Sequence, residues 1–349
     1  MPRRNPARSI GSGVSAALPP IALRVGGKKI YFLKVQAMIC QAATPHLLLF
    51  TPVPPAMRAT LEQRFALHDD ALLDEAERRV LSTQVRALLC NAQSVVSKVQ
   101  MQQWPALELI CVIGVGMDGI DLEAAAERNI TVRNTPDVST EDIADHTMAL
   151  LLAATRKVVQ AHQFVQQGEW ARGRFAPTPR FWGRRLGIVG LGRIGSAVAR
   201  RAQAFDLSIA YTGRSPKPDV AYHWYADVEA LAHHVDFLVV CASGGAETQG
   251  MINAAVLEAL GPDGVLVNIG RGSIVDEVAL QHALLSRTIA AAALDVFANE
   301  PQVPQALCSL SNVVVTPHMA SSTQQGLQAM VQKAQDHLLE HFSMPEVAS

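Results

Sequence analysis

From residue 47 onward, short apolar runs alternate with amphipathic stretches, the pattern of strands covered on both faces and separated by helices. The runs predict strands at 47–50, 87–90, 109–112 and 131–132. A second series follows at 186–189, 209–211, 236–241, 265–268, 291–294 and 313–316. Between the two series stands Asn134-Thr135-Pro136, where proline fixes φ and restricts the residue before it. Helices are expected at 56–64 and 120–129, and a long one to about residue 167, capped by Ser139 or Thr140 with Asp142. Over 143–157 that helix is apolar nearly all round (Ile143, Ala144, Met148, Leu150, Leu151, Leu152), so it must be covered on more than one side. The last helix, 323–342, lies beyond the second series and is expected to return over the first.

The most informative stretch is 185–197, RLGIVGLGRIGSA. A short strand runs into a Gly-x-Gly-x-x-Gly turn at Gly190, Gly192 and Gly195, with Leu191, Arg193 and Ile194 completing it, and a helix begins there. Gly190 allows the tight turn and Gly192 lets backbone N–H groups approach a pyrophosphate. Gly195 lets the helix pack closely on the strand, so that its positive end faces the phosphates. About 20 residues on, an acid usually grips the ribose 2′-hydroxyl of NAD. Here the chain reads Thr212, Gly213, Arg214, Ser215, with Lys217 nearby. A carboxylate would repel a 2′-phosphate, whereas an arginine fork and a hydroxyl would hold it, so NADP is expected over NAD.

Composition narrows the classes. At 349 residues the chain is long enough for two domains. With 30 basic and 31 acidic residues, nothing points to nucleic acid or an anionic membrane surface. No apolar run approaches the roughly 18 residues that would span a bilayer. The five cysteines (Cys40, Cys90, Cys111, Cys241, Cys308) are widely spread and form no Cys-x-x-Cys pair. They read as reduced core thiols of a cytoplasmic protein. The histidines show no metal-ligand spacing, so no metal is expected. Residues 1–61 hold no Asp or Glu, yet include Arg3, Arg4, Arg8, Arg24, Lys28, Lys29 and Lys34. That is transit-peptide composition, but Pro2, Pro6, Pro19 and Pro20 interrupt any amphipathic helix. A disordered extension over 1–37, with a natural beginning near Met38, is the expectation.

Six blocks in order carry a resemblance: GVGMDGIDLEAAAERNITVRNTP (114–136), IADHTMALLLA (143–153), GLGRIG (190–195), VNIGRGSIVDEVAL (267–280), AALDVFANEP (292–301) and VTPHMASST (315–323). In these the chain resembles the D-isomer-specific 2-hydroxyacid dehydrogenases, over about residues 46–341. The loop YTGRSPKP and the helix IADHTMALLLAATRK look most like its glyoxylate/hydroxypyruvate and hydroxyphenylpyruvate reductase branch, which tends to prefer NADPH. The resemblance implies two Rossmann-like doubly wound parallel-sheet α/β domains with an active-site cleft between them. Residues 38–134 and 319–349 would form the substrate (lid) domain and 135–318 the NADP-binding domain. It also implies a homodimer built on the apolar helix, with Trp170 or Phe175 as a further anchor.

Reduction of a 2-oxo acid needs a cation for the carboxylate and carbonyl, an acid for the developing alkoxide, and a hydride donor in line. Arg271 follows the strand at 265–268, with Ile269 and Gly270 before it counted as cofactor contacts. His318 follows the strand at 313–316, and by resemblance it is the proton donor, with Glu300 pairing to it and orienting its ring. Asp295 would accept from the nicotinamide carboxamide, and Gly114, Val115 and Gly116 would offer N–H groups to the substrate carboxylate. Departures from the branch at 91–94 (Asn-Ala-Gln-Ser), Met117, Met319 and Ala320 leave glyoxylate, hydroxypyruvate and an aromatic 2-oxo acid open as substrates. Two other readings stand beside this one: a nucleotide-sensing, corepressor-like protein of the same fold, and an NAD-preferring dehydrogenase.

Overall fold

The computed structural model describes Ala22–Val25, Lys28–Tyr31 and residues 44–343. The chain falls into two compact units, Met1–Pro45 and His46–Ser349. In the first, β1 (Ala22–Val25) and β2 (Lys28–Tyr31) form an antiparallel pair flanking Gly26-Gly27, a dipeptide suited to a hairpin turn. These two strands are all that is described of the expected disordered extension. The rest of that expectation, the start near Met38 and Cys40 all lie outside the described residues.

The second unit holds two parallel sheets. One has five strands in the order β4-β3-β5-β6-β7, built from β3 (His46–Leu49), β4 (Ala66–Asp69), β5 (Val85–Asn91), β6 (Leu109–Ile113) and β7 (Thr131–Arg133). The other has seven: β8 (Arg185–Val189), β9 (Ser208–Thr212), β10 (His223–Tyr225), β11 (Phe237–Val240), β12 (Val265–Asn268), β13 (Ala291–Leu294) and β14 (Val313–Val315). Their order is β10-β9-β8-β11-β12-β13-β14, so the winding reverses between β8 and β11, where open α/β sheets place their ligands. Every residue of β11, β12 and β13 is buried, as expected of strands covered on both faces. In this unit the strands that the sequence pattern did not show, β4 and β10, are edge strands whose side chains are at most partly buried, and so lack a strong apolar signature.

The long helix differs from expectation. It is two helices, α1 (Thr140–Arg156) and α2 (Val158–Gln166), because Lys157 adopts φ 51° in the left-handed region and ends the first. Ser139 stands at the N-cap but its side chain makes no capping bond, and its buried hydroxyl has no partner among the described residues. As expected, α1 is covered on more than one side, though not all round. Ile143, Ala144, Thr147, Met148, Leu150, Leu151, Ala154 and Thr155 are buried, while Glu141, Asp145 and Ala149 are exposed. The buried face lies on β12, β13 and on α3 (Arg193–Gln203). The helix Glu75–Leu81 was also missed, although its Asp74/Glu77 capping box is written in the sequence.

The last helix, α4 (Gln324–His341), packs Ala334 and Leu338 against Leu47, Leu61, Leu109 and Cys111 of the five-stranded half. Its Lys333 Nζ donates to the Pro136 carbonyl at 2.7 Å, and Thr323 Oγ1 donates to Asp142 Oδ2 at 3.0 Å, which ties together the two chain crossings between the halves. Cys90, Cys111, Cys241 and Cys308 are free, and burial pushes the Cys90 and Cys111 thiols up to about 12. Cys308 is exposed, unlike the core thiol expected there. Among the described residues no helix is long and apolar enough to cross a membrane.

The Gly-rich turn depends on close approach. A Cβ on Gly195 would lie 2.3 Å from the Gly190 carbonyl oxygen, and Gly190 itself has φ 90° with Ala242 backbone 2.9 Å from where its Cβ would be. Gly195→Ala is therefore expected to shift α3 off β8 and destabilise the protein by about 1–3 kcal/mol. Urea unfolding measures this, and a change within error would mean that the helix accommodates the methyl.

Candidate active site

The Gly-rich turn and β9 border a cavity of about 1070 Å³, lined by Val189, Gly190, Leu191, Gly192 and, opposite, Thr212, Gly213, Arg214, Ser215 and Lys217. The first turn of α3 at its edge carries no acid, which suits an anion. Arg214, Ser215 and Lys217 are exposed, and Thr212 stands at the end of β9 where no carboxylate intrudes. Of the two acids that line this cavity, Asp227 and Glu247, Asp227 is spent on capping the helix Val228–Ala232 through Ala230 N at 2.7 Å. These residues fit a dinucleotide with a 2′-phosphate. Of the other expected contacts, Leu191 is buried and Ile194 packs partly against the core, so only their backbone is available. Arg193 pairs with Asp137, Nε to Oδ1 at 2.8 Å.

A second cavity, of about 480 Å³, is bordered by Val115, Gly116 and His318 together with residues of the loops after β3 and β5 and of α4. The Val115-Gly116 loop is held from β7's exit. Gly114 N donates to Thr135 Oγ1 at 2.9 Å and Asn134 Nδ2 donates to the Val115 carbonyl at 2.7 Å. The Val115 and Gly116 N–H groups have no acceptor among the described residues.

Arg271 leaves β12 through an Asx-type turn. Asn268 Oδ1 accepts from Gly270 N at 3.0 Å, and Asn268 Nδ2 donates to the Arg271 carbonyl at 3.0 Å. The guanidinium spends Nη1 on the Gly270 carbonyl at 2.7 Å and Nε on Asp118 Oδ2 at 2.5 Å. Its Nη2 reaches the space where a Gly116 Cβ would be, 1.8 Å from that position. Gly116 must therefore be glycine for the arginine to lie there.

His318 Nδ1 meets Glu300 Oε2 at 2.6 Å, and Glu300 Oε1 accepts from Phe297 N at 2.9 Å, so the carboxylate cannot swing away from the ring. Nε2 of His318 has no partner among the described residues, and the ring borders the smaller cavity. His318 adopts φ 50°, a conformation that most residues avoid at a cost of order 1 kcal/mol. What holds it there is Asp295, 1% exposed. Its backbone carbonyl accepts from His318 N at 2.8 Å, Oδ1 accepts from Thr316 Oγ1 at 2.6 Å and Met319 N at 2.9 Å, and Oδ2 accepts from Ala320 N at 2.9 Å. His146 Nε2 lies 3.6 Å from Oδ1, too far for a hydrogen bond, and instead meets Thr316 Oγ1 at 3.2 Å. Burial works against the charge on Asp295, but the nearby His146 ring, the Thr316 hydroxyl and the Met319 and Ala320 amides more than offset it and hold the carboxyl below its ordinary range. The structure thus turns Asp295 toward the loop that carries His318. Asn268, Asp118, His146 and Thr316 were missed in the sequence; only the Asn two residues before Gly270 carries a local turn signal.

Because the Asp295 carboxyl sits low when folded, its stabilising effect is complete above the unfolded value of about 4 and is lost as pH falls through the folded value. Asp295→Asn should lower unfolding free energy by about 2 kcal/mol or more at neutral pH. Followed from about pH 5 to about pH 3, its deficit against wild type should shrink. A deficit independent of pH would mean that shape, and not charge, holds the loop.

A family model described as "D-isomer specific 2-hydroxyacid dehydrogenase, NAD binding domain" matches residues 148–320. Hydroxyphenylpyruvate reductase of Plectranthus scutellarioides is 41% identical over 300 residues, covering 85% of this chain and 96% of that one. Glyoxylate/hydroxypyruvate reductase A of Arabidopsis thaliana is 41% identical over 303 residues, with the same coverages. The NADPH-dependent glyoxylate/hydroxypyruvate reductase of Sinorhizobium meliloti, solved with NADP and malonate, superimposes with a TM-score of 0.80 at 41% identity, over 86% of this chain and 95% of that one. With a paired histidine and glutamate, a clamped arginine and a turn made for a dinucleotide, this chain belongs to the D-isomer-specific 2-hydroxyacid dehydrogenase family.

Proposed function

We propose that the protein is an NADPH-dependent reductase of small 2-oxo acids, of the glyoxylate/hydroxypyruvate or hydroxyphenylpyruvate type, producing D-2-hydroxy acids. The observation that carries this is the His318–Glu300 pair, 2.6 Å apart, with Nε2 left over at a cavity that the Val115 and Gly116 N–H groups share. The relatives are named reductases, which gives no support to a nucleotide-sensing binding protein. The described residues 46–134 and 319–343 of the expected lid domain serve as that domain and 135–318 as the nucleotide domain; the expected start at 38 falls in the first compact unit.

Gly190, Gly192 and Gly195, with Leu191, Arg193 and Ile194, hold the pyrophosphate of the dinucleotide. Gly213, Arg214 and Ser215 hold its 2′-phosphate, and Ile269 and Gly270 face the nicotinamide end, while Asp295 serves behind them by holding the His318 loop. The cofactor supplies the hydride. Val115 and Gly116 donate N–H groups to the substrate carboxylate, and the remaining Arg271 N–H groups bind the carboxylate and polarise the carbonyl. His318 gives its Nε2 proton to the developing alkoxide while Glu300 keeps the ring in register and stabilises its charged form. Closure of the cleft excludes water from the transfer.

A group of exposed apolar side chains follows α1 in the chain. Val158, Val159 and Val165 of α2, with Trp170 and Trp182, are exposed, while Phe175 edges onto Phe164 within the chain. We read this segment as the centre of a homodimer interface, with Trp170 and not Phe175 as its anchor, and place the protein in the cytoplasm.

His318→Ala should reduce turnover on the order of 10²–10⁴-fold, since no neighbouring group replaces the acid. Steady-state assays with hydroxypyruvate and glyoxylate measure it, and near-wild-type turnover would place the acid elsewhere. Arg214→Ala should raise KM for NADPH roughly ten- to a hundredfold and barely change that for NADH. Equal changes for both cofactors would make Arg214 a structural residue.

A further inference from the structure

Arg271 is placed from outside its own loop. Asp118 lies in the Val115–Gly119 stretch of the five-stranded half, 153 residues away in sequence, and takes the guanidinium by Nε at 2.5 Å. That loop is braced at both ends: Asn134 Nδ2 donates to the Val115 carbonyl at 2.7 Å and Val96 N donates to the Gly119 carbonyl at 2.8 Å. Its carboxylate is thus presented from a fixed frame. Two glycines complete the enclosure. A Cβ at Gly116 would strike Nη2, and a Cβ at Gly244 would come 2.9 Å from Arg271 Cγ and 3.6 Å from Asp118 Cγ. The guanidinium therefore has Nε held by Asp118 and an Nη1 N–H held by Gly270, with Gly116 leaving room for Nη2 and Gly244 leaving room for the side chain's stem.

We propose that Asp118 is the positioning residue for Arg271, setting which N–H groups of the guanidinium remain for the substrate. An arginine side chain is long and has many rotamers, and a planar fork recognises a carboxylate only when its edge is correctly turned. With Nε committed to Asp118, the substrate is met by the Nη groups beside Gly116, whose own N–H is free. Because the aspartate and the arginine stand on different sheets, the arginine reaches its working orientation only when the two halves come together. The pair is part-exposed on both sides, 28% and 33%, so it adds little to stability and its effect falls on placement.

This proposal rests on the reading of the site as a 2-oxo acid reductase, and the test separates the two. Asp118→Ala, Asp118→Asn and the wild type are compared with hydroxypyruvate for kcat and KM, with NADPH for binding by fluorescence titration, and by thermal melting. Asp118→Ala should lose about tenfold or more in kcat/KM, in both kcat and KM, because Arg271 acts in ground and transition states alike. Asp118→Asn, which keeps an acceptor oxygen at the same place, should recover a large part of that loss. NADPH affinity and melting temperature should stay near wild type in both. Asp118→Ala turning over as wild type does, or an Asn variant as impaired as the Ala variant, would overturn the positioning role. So would a loss of NADPH affinity as large as the loss of kcat/KM, which would mark general damage. A wild type that reduces no 2-oxo acid would overturn the functional reading itself.

Discussion

A buried carboxylate must be given donors, and in this protein the demand of Asp295 organises the catalytic side of the nucleotide half. Sitting at the end of β13 and almost wholly out of solvent, it draws in the Thr316 hydroxyl and the Met319 and Ala320 amides. Those bonds wrap residues 316–320 around it and press His318 into a left-handed conformation that it would not choose. The imidazole is then turned to Glu300, whose second oxygen is fixed by the Phe297 amide. One desolvated charge thus sets the geometry of the histidine without touching its ring.

The same economy of means recurs on the neighbouring strand. Asn268 closes the turn after β12 and sends Arg271 out of the sheet, and glycines at 116 and 244 leave the room that its side chain fills. In the seven-stranded sheet Arg271 and Asp295 follow the interior strands β12 and β13 and His318 follows the edge strand β14, while Val115, Gly116 and Asp118 follow β6 of the other sheet. The reversal of strand order between β8 and β11 opens the crevice where the Gly-rich turn sits. Rigid strands position, and the loops at their C-terminal ends do the chemistry.

What the sequence made legible follows from what is local. The Gly-rich turn, the missing acid at Thr212 and the alternation of buried strands are all written within a few residues of themselves, and the structure realises them. The Glu300–His318 pairing came from resemblance, since nothing in their spacing brings them together. The misses have physical causes. Edge strands β4 and β10 bury too little to show a period, and the break at Lys157 depends on a single left-handed residue inside a helical pattern. Ser139 looked like a cap because serine usually is one, but here its hydroxyl is not used that way. Asp118 and His146 act across 153 and 170 residues, and such partners emerge only when the chain is folded.

The central claim is that these groups together deliver a hydride and a proton to opposite ends of a carbonyl. The most direct measurement follows consumption of NADPH by the purified protein with hydroxypyruvate, using cofactor deuterated at the transferred position, and analyses the product for configuration and label. The account predicts turnover of order 1 s⁻¹ or faster and a D-2-hydroxy acid carrying the deuterium on C2. Absence of turnover with any 2-oxo acid, or an L product, would contradict it.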